Sequence, residues 1–357
     1  MYPALAVLRA LQSEAADVLW VGGLGGMEAD LVKRAGVSFT AIPAAGVHGV
    51  GLRALPANTW QLARGYFAAR RVLRSFQPHA LLFTGGYIAV PMALARRKTP
   101  SVLYVPDIEP GLALKLLSRF ADRIAVTAED SRSFLPGRDS RIVVTGYPTR
   151  PDLQRWDPPA ARRALGLDES RPVLLVFGGS RGARSINRAL LNALPALLQR
   201  CQIVHVSGQL DWPEIEQARK SLPEGLSHSY HPYPYLHEEM GAALTVADLA
   251  VSRAGASTLG ELPLFGLPAV LVPYPYAWRY QQVNAAYLAR HGAAIVLEDA
   301  RLGDRLSPAV LDLLDHPERL AAMRTAMRSL ARPQAAQHIA RLVLELAGGG
   351  AQENRPA

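Results

Sequence analysis

Cysteine is nearly absent: Cys201 is the single one in 357 residues. A lone thiol cannot build an internal disulfide framework or a cysteine-rich metal site, and it fits a reducing compartment. Aromatic residues are also scarce, at 7%. No stretch interleaves them with basic residues as a base-stacking platform would, so nucleic acid is not an expected partner. Long apolar runs are missing too; none approaches the roughly 20 residues that span a bilayer. The segment MYPALAVLRALQSEAADVLWVGG lacks a basic stretch followed by a long apolar core, so it does not read as a secretory leader. Together these absences predict a cytoplasmic protein.

What is present is the composition of a globular chain, 49% hydrophobic and 19% charged, with length for about two domains. The net charge is +9, carried mostly by arginine. Such a balance suits an anionic partner, a nucleotide or an acidic membrane face; it equally suits a surface merely solvated by arginine.

Short, nearly continuous apolar runs alternate with helical patterns throughout. DVLWVG, VSFTAI, HALLFTGG, SVLYV, DRIAVT and RIVVTG are strand candidates in the first half. PVLLVFGG, QIVHVSG, SHSYH, LAVSR, PAVLVPY and AAIVL are those in the second. Runs of this kind are expected for parallel strands covered on both faces. Amphipathic stretches such as TWQLARGYFAARRVLRSF and SINRALLNALPALLQRC supply the crossovers. The predicted fold class is α/β, with two Rossmann-like, doubly wound parallel-sheet domains facing a cleft. The linker-like stretch Gly146-Tyr-Pro-Thr-Arg-Pro-Asp152 sets the domains at 1–146 and 147–332. ARPQAAQHIARLVLELA predicts a last helix over 333–347, and GGGAQENRPA a disordered tail over 348–357. No fixed-period repeat runs through the chain.

In an open α/β sheet, ligands sit beyond the carboxyl ends of the strands. Two turns there are stripped of side chains. In Val176-Phe-Gly-Gly-Ser-Arg-Gly-Ala-Arg-Ser-Ile-Asn187, Gly178 and Gly179 let the backbone approach a ligand and Ser180 brings a hydroxyl. The N–H groups of a helix starting near Arg181 would face an anion. Glycines used only for close helix–strand packing explain the same residues. In Ser252-Arg-Ala-Gly-Ala-Ser-Thr-Leu-Gly-Glu261, small residues at 254–257 again leave helix N–H groups accessible. Glu261 could accept two hydrogen bonds from a ribose diol, or serve its own helix by charge–dipole attraction. Two such turns in one half, one carrying an acid, favour a nucleotide diphosphate. A third stretch, Val272-Pro-Tyr-Pro-Tyr-Ala-Trp-Arg-Tyr-Gln-Gln-Val-Asn284, carries the amides Gln281, Gln282 and Asn284, which could hydrogen-bond sugar hydroxyls.

PALAV at 3–7, GGYIAVP at 85–91, PG at 110–111, TGYPTR at 145–150 and GGSRGARSIN at 178–187 occur in order. HVSG at 205–208, YLHEEM at 235–240, ADLAVSRAGASTLGEL at 247–262 and YPYAWRYQQVNA at 274–285 follow. This ordered set, covering nearly the whole chain, resembles the MurG family. Those enzymes transfer N-acetylglucosamine from UDP-GlcNAc to the lipid-linked muramyl-pentapeptide of peptidoglycan synthesis. The combination SRAGAST…E with Q..NA is the most specific part.

The resemblance implies a GT-B glycosyltransferase whose second domain holds most of the donor. Ser180 and the turn Ala256, Ser257, Thr258 would contact the diphosphate. Glu261 would bind the ribose hydroxyls, and Gln281, with Asn284 near it, the GlcNAc. Leu236 would lie in the segment that meets the uracil, and Arg150 would also face the donor. It implies no metal and no cofactor, because helix N-termini neutralise the charge. The implied reaction is inverting. The C4 hydroxyl of N-acetylmuramic acid attacks the anomeric carbon in line, and UDP leaves toward the amides at 179–181 and 255–257, those of Gly179, Arg181 and Gly255 among them. A base must take the acceptor proton. The implied partners are UDP-GlcNAc, undecaprenyl-pyrophosphoryl-muramyl-pentapeptide and an anionic membrane surface, at the cytoplasmic face of the cell membrane.

The chain departs from the family in places. The family carries a strand and a GGTGGH-type loop ahead of its YPALAV motif; here MYPALAV has no such segment before it. The loop histidine has no counterpart, so no catalytic residue is assigned; His205 and His237 belong to the other domain. A doubly wound sheet places its first strand centrally. Its loss predicts two neighbouring strands without partners on that side, and a mis-called start or a fragment. Asp107 in Val105-Pro-Asp107 stands where the family has an Asn, keeping an acceptor but losing a donor, and Tyr147 and Tyr280 also differ. Because these changes fall toward the acceptor side, two other readings stay open: a UDP-sugar transferase with another acceptor, and a UDP-sugar-binding protein without catalysis.

Thr59–Arg74 is a basic amphipathic helix candidate. Trp60, Phe67 and Leu73 with Arg64, Arg70, Arg71 and Arg74 suit an anionic interface. A crossover helix with its apolar face on the sheet has the same pattern.

Overall fold

The computed structural model describes residues 2–14, 16–25, 28–44, 55–86, 88–179, 182–276 and 279–353. The chain divides into two units, Met1–Arg150 with Pro333–Ala357, and Pro151–Arg332. Each is built of parallel strands joined by helical crossovers.

In the first unit α1 (Tyr2–Gln12) leads to β1 (Leu19–Gly23), α2 (Glu28–Arg34) to β2 (Ser38–Ile42), and α3 (Leu55–Phe76) to β3 (Leu81–Phe83). Then come α4 (Ala89–Ala95), β4 (Ser101–Val105), α5 (Leu112–Leu117), β5 (Arg123–Val126) and β6 (Ile142–Val144). The apolar run SVLYV of β4 is buried at every position, as a central strand between helix layers requires. The strands do not join into one sheet. β1 pairs with β2, and β3-β4-β5-β6 form a separate parallel ladder. The two strands expected to lack a partner on one side are β1 and β3, and among the described residues each ends its ladder there.

The second unit opens with α6 (Pro158–Leu165). Asp157 caps it by accepting the Ala160 N–H at 2.9 Å, and left-handed Gly166 ends it. β7 (Val173–Phe177), α7 (Arg184–Leu197), β8 (Gln202–Val206), α8 (Trp212–Lys220), α9 (Glu224–Ser227) and β9 (Tyr230–Tyr233) follow. Then come α10 (Glu239–Val246), β10 (Leu249–Ser252), α11 (Thr258–Phe265), β11 (Ala269–Leu271), α12 (Tyr280–Arg290) and β12 (Ala294–Val296). α13 (Leu302–Asp315) and α14 (Pro317–Ser329) close the unit. The sheet order is β12-β11-β10-β7-β8-β9, all parallel, so the first strand is central and the order changes direction beside it. The core gathers Val176, Ile186, Leu190, Val251, Val270 and Val310, each contributing about 1.5–3 kcal/mol by burial.

α15 (Ala335–Glu353) returns to the first unit and packs on α1 and β4. The glycine run at 348–350 predicts an end there, yet the helical backbone continues to Glu353. Glycine permits that backbone while weakening it by about 1 kcal/mol per residue.

Candidate functional site

The two glycine turns of the second unit stand at the carboxyl ends of neighbouring strands. Phe177 of β7 is in register with Ser252 of β10, so the turns that follow leave the sheet at one level, about 4.8 Å apart.

The first turn is tight at two of its glycines and open at a third. A Cβ on Gly178 would lie 2.3 Å from the Ala183 nitrogen, and one on Gly182 2.1 Å from the Ser207 carbonyl oxygen. Gly182 is also left-handed, with φ +78°, and its N–H donates to Gly179 O at 3.0 Å. Gly179 has φ +87° but open space where a side chain would stand. Packing therefore accounts for Gly178 and Gly182, and the bare face at Gly179 is what a ligand could approach. Ser180 and Arg181 lie outside the described residues.

The second turn is built differently. Gly255 has neither a left-handed φ nor any atom within 4 Å of a Cβ. Its carbonyl accepts Thr258 N at 3.0 Å and Thr258 Oγ1 at 2.6 Å. Thr258 is thus buried and braces the turn, whereas Gly255, Ala256 and Ser257 are half-buried. Asn284 is fully buried, and its Nδ2 donates to Ala254 O at 3.1 Å, tying α12 under the same turn. Neither N-cap residue, Ala183 of α7 or Ser257 of α11, makes a side-chain capping hydrogen bond among the described residues, so both helices present their positive ends to whatever binds beyond the strands. Glu261 is half-buried in the first turn of α11. Gln281 is half-buried on α12, and its Oε1 accepts Tyr274 N at 2.8 Å, which leaves its NH2 as the donating end. Leu236 is buried and anchors the segment after β9.

Arg253, Ser185 and Asp299 join the two turns, a link the sequence reading missed. Arg253 pairs with Asp299, donates to Ser185 Oγ at 2.8 Å and to Val272 O at 3.2 Å, and lies 5.1 Å from the Tyr274 ring. Ser185 Oγ donates in turn to Asp299 Oδ1 at 2.7 Å. Ser185 opens α7 and Arg253 precedes α11, so one ion pair holds both helix starts. Arg253 was visible inside SRAGAST, but nothing in the sequence points to a partner 46 residues on.

Behind the first turn a buried network sets the loop that Gly182 touches. Asn187 Nδ2 donates to Ser207 O and to Asp211 Oδ2, both at 2.9 Å. Its Oδ1 can only accept, so His205 Nε2 donates to it at 3.0 Å and His205 Nδ1 accepts from Tyr230 OH at 2.7 Å. Burial pushes the His205 pKa down from 6.5 to about 3. His205 is a structural brace, neutral at physiological pH. Above pH 6.5 the imidazole is neutral folded and unfolded, and the contribution of the brace is complete. As pH falls from 6.5 toward 3 the unfolded chain takes up a proton that the folded one refuses. The folding equilibrium then weakens by about tenfold per pH unit. Denaturant melts of wild type and His205→Phe from pH 7 to 4.5 check this; equal slopes would assign the acid sensitivity elsewhere.

The remaining candidates belong to the first unit. Arg150 places its guanidinium 4.9 Å from the Tyr2 ring. Asp107 is half-buried beyond the end of β4. Nearby, Thr127 Oγ1 donates to Pro106 O at 2.8 Å, and the Tyr104 phenol, buried beside Thr127 and Tyr147, is held well above its ordinary pKa by desolvation. Among the described residues no group of three or more His, Cys, Asp or Glu could hold a metal ion.

Residues 1–126 match the Glycosyltransferase family 28 N-terminal domain, and residues 173–339 match the Glycosyltransferase family 28 C-terminal domain. The UDP-N-acetylglucosamine--N-acetylmuramyl-(pentapeptide) pyrophosphoryl-undecaprenol N-acetylglucosamine transferase of Roseiflexus sp. (strain RS-1) is 42% identical, over 96% of this chain and 91% of its own length. The transferase of the same name from Desulforamulus reducens is 40% identical, over 96% of this chain and 94% of its own. Among solved structures, the MurG of Acinetobacter baumannii superposes with a TM-score of 0.76 at 27% identity, covering 96% of this chain and 95% of that one.

Proposed function

The chain belongs to the MurG family within glycosyltransferase family 28, and from that premise we infer that it moves N-acetylglucosamine from UDP-GlcNAc to the C4 hydroxyl of lipid-linked N-acetylmuramyl-pentapeptide, converting lipid I to lipid II. The observation that carries the chemistry is the pair of uncapped helix N-termini behind the turns of β7 and β10. A diphosphate spanning them meets backbone N–H groups from both sides. As the bond from the anomeric carbon to the diphosphate oxygen breaks, negative charge grows on UDP, and these fixed donors stabilise it without reorganising. The acceptor C4 oxygen forms the new bond with inversion, and its proton passes to a base.

In this reading Gly179, Ala256 and Ser257 meet the diphosphate through their backbone, and Thr258 and Asn284 hold the second turn in shape. Ser180 and Arg181 complete the first. Glu261 accepts from the ribose hydroxyls, Gln281 donates to the sugar, and the segment of Leu236 covers the uracil. Calorimetry with UDP tests the assignment. Glu261→Ala removes two hydrogen bonds to a charged acceptor and is expected to weaken UDP by about tenfold to a hundredfold. Gly255→Val separates binding from packing. Its site leaves room for a side chain, so the melting temperature should hold while UDP affinity falls. Unchanged affinity in both variants would remove the donor site from these turns. Turnover of UDP-GlcNAc with a lipid I analogue then tests the acceptor.

We also propose that the protein works as a peripheral protein on the cytoplasmic face of an anionic membrane. Among the described residues no helix is long and apolar enough to cross a bilayer. α3 rests on the core through Ala69, Val72 and Leu73. Trp60 and Phe67 are each 67% exposed, and Arg64, Arg71 and Arg74 are exposed with them. Positions 60, 64, 67, 71 and 74 share one helical face, which supports a basic, aromatic stripe that docks on acidic headgroups. Trp60→Ala/Phe67→Ala is expected to lose about tenfold in co-sedimentation with anionic vesicles, with exchange of the core amides unchanged. Full retention would discard the stripe.

A further inference from the structure

The stretch Val272-Pro-Tyr-Pro-Tyr276 follows β11 and carries two prolines. Proline has no N–H, so Tyr274 holds the only backbone donor between Val272 and Tyr276. That N–H is committed: it donates to Gln281 Oε1 of α12 at 2.8 Å. A backbone N–H can only donate, so the end of the Gln281 amide that meets it is the oxygen. The terminal torsion of a glutamine is otherwise roughly two-fold; here one setting is chosen. Among the described residues the Nε2 end makes no hydrogen bond, and Gln281 is only half-buried.

Both partners are anchored to neighbouring residues at the start of the second glycine turn. Arg253 donates to Val272 O at 3.2 Å and lies 5.1 Å from the Tyr274 ring, so one guanidinium grips the segment on both sides of Pro273. That guanidinium is itself fixed by Asp299 and Ser185. The two prolines set their own φ and restrict Tyr274 between them. From the other side, Asn284 Nδ2 donates to Ala254 O at 3.1 Å, one helical turn from Gln281. The head of Gln281 is thus held through Arg253 and its backbone through Ala254, adjacent residues just after β10. The Tyr274 ring is 42% exposed and meets the Tyr276 ring edge-on, centroids 5.5 Å apart. Its contact with Arg253 can therefore be removed without opening the core.

We propose that Tyr274 is a positioning residue for the donor sugar: seated on Arg253, it turns the Gln281 amide so that its NH2, and not its carbonyl, faces the ligand. This rests on the reading of Gln281 as the residue that meets the sugar. The sugar oxygen opposite Gln281 is then read as a hydrogen-bond acceptor. A free amide would offer either end and would have to be ordered when the sugar arrives; a fixed one is ordered beforehand. Without the ring, Arg253 keeps Asp299, Ser185 and Val272 O, so the diphosphate turns stand without it. The effect of Tyr274 falls on the sugar and not on UDP.

Calorimetry with UDP and with UDP-GlcNAc tests this, read as the ratio of the two dissociation constants. Tyr274→Ala keeps the N–H but loses the ring that fixes it. It is expected to weaken UDP-GlcNAc by about tenfold while UDP stays within about twofold. Tyr274→Phe keeps a ring over Arg253 and is expected to rescue the ratio. Gln281→Leu shows the loss when the amide itself is gone. Tyr274→Ala added to Gln281→Leu is expected to weaken UDP-GlcNAc no further, because a residue acting through Gln281 has nothing left to position. The melting temperature of each variant reports the fold of the second unit. Equal loss of UDP and UDP-GlcNAc in Tyr274→Ala overturns the proposal and assigns the ring to the turns. A full further loss in the Gln281→Leu background also overturns it, placing Tyr274 itself against the sugar. Gln281→Leu weakening UDP-GlcNAc while Tyr274→Ala does not overturns the positioning role and leaves the reading of Gln281 intact. Gln281→Leu without effect takes the sugar away from Gln281 and overturns both.

Discussion

Gly182→Ala is expected to unfold the first glycine turn and to take UDP binding with it. Two independent costs meet at this position. The left-handed φ of +78° disfavours any side chain by about 1 kcal/mol. The new Cβ would stand 2.1 Å from Ser207 O and 3.2 Å from Gly208 Cα, and those atoms are backbone. The Asn187–Ser207 hydrogen bond, backed by His205 and Asp211, stops that backbone from yielding. Overpacking against a braced wall adds about 1–3 kcal/mol, so the variant loses about 3 kcal/mol of the second unit's stability. Gly179→Ala is the control. It shares the left-handed φ, at +87°, but its Cβ meets nothing within 4 Å, so it costs about 1 kcal/mol and folds. Exchange of the β7 and β8 amides measures both. If Gly182→Ala melts with Gly179→Ala, the Ser207 contact is not the constraint described above.

The contrast between those two glycines marks how far the sequence could be read. GGSRG announces a turn free of side chains, but which glycine is tight and which faces open space depends on Ser207 in another loop. Strand positions were legible because parallel strands covered on both faces appear as unbroken apolar runs; VLLVF and QIVHV coincide with β7 and β8. β9 was misplaced toward SHSYH and forms at Tyr230–Tyr233 instead. It is an edge strand with Pro232 in it, and an edge strand needs no continuous apolar signal and tolerates a residue without an N–H. α3 was ambiguous because a helix facing a core and one facing a membrane share a periodicity. Packing divides its apolar residues, Leu73 inward and Trp60 and Phe67 outward. Asn284 and Thr258 were visible as site residues, yet both turn inward to backbone carbonyls. The interrupted sheet of the first unit was foreseeable only through the family resemblance, joined to the rule that a doubly wound sheet places its first strand centrally. That α15 returns to pack on α1 was not.

Arg253→Met separates the stability of the second unit from the geometry of its turns. The Arg253–Asp299 pair is largely enclosed, with side-chain exposures of 10% and 22%. Removing the guanidinium leaves the Asp299 carboxylate with Ser185 Oγ as its remaining short partner in this network, and strips a donor from Val272 O. Breaking one side of such a pair costs about 3 kcal/mol. The double variant Arg253→Met/Asp299→Leu removes the orphaned charge as well and is expected to regain most of that loss, because apolar side chains of similar size often replace a buried pair without penalty. UDP affinity should not return with it. The ion pair and Ser185 fix where α7 starts relative to α11, and nondirectional contact cannot set two helix N-termini to the spacing of one diphosphate. The expected pattern is therefore a single variant weak in both melting and binding, and a double variant restored in melting but still weaker for UDP by about tenfold. Recovery of both together would make the Arg253–Asp299 pair a matter of stability alone.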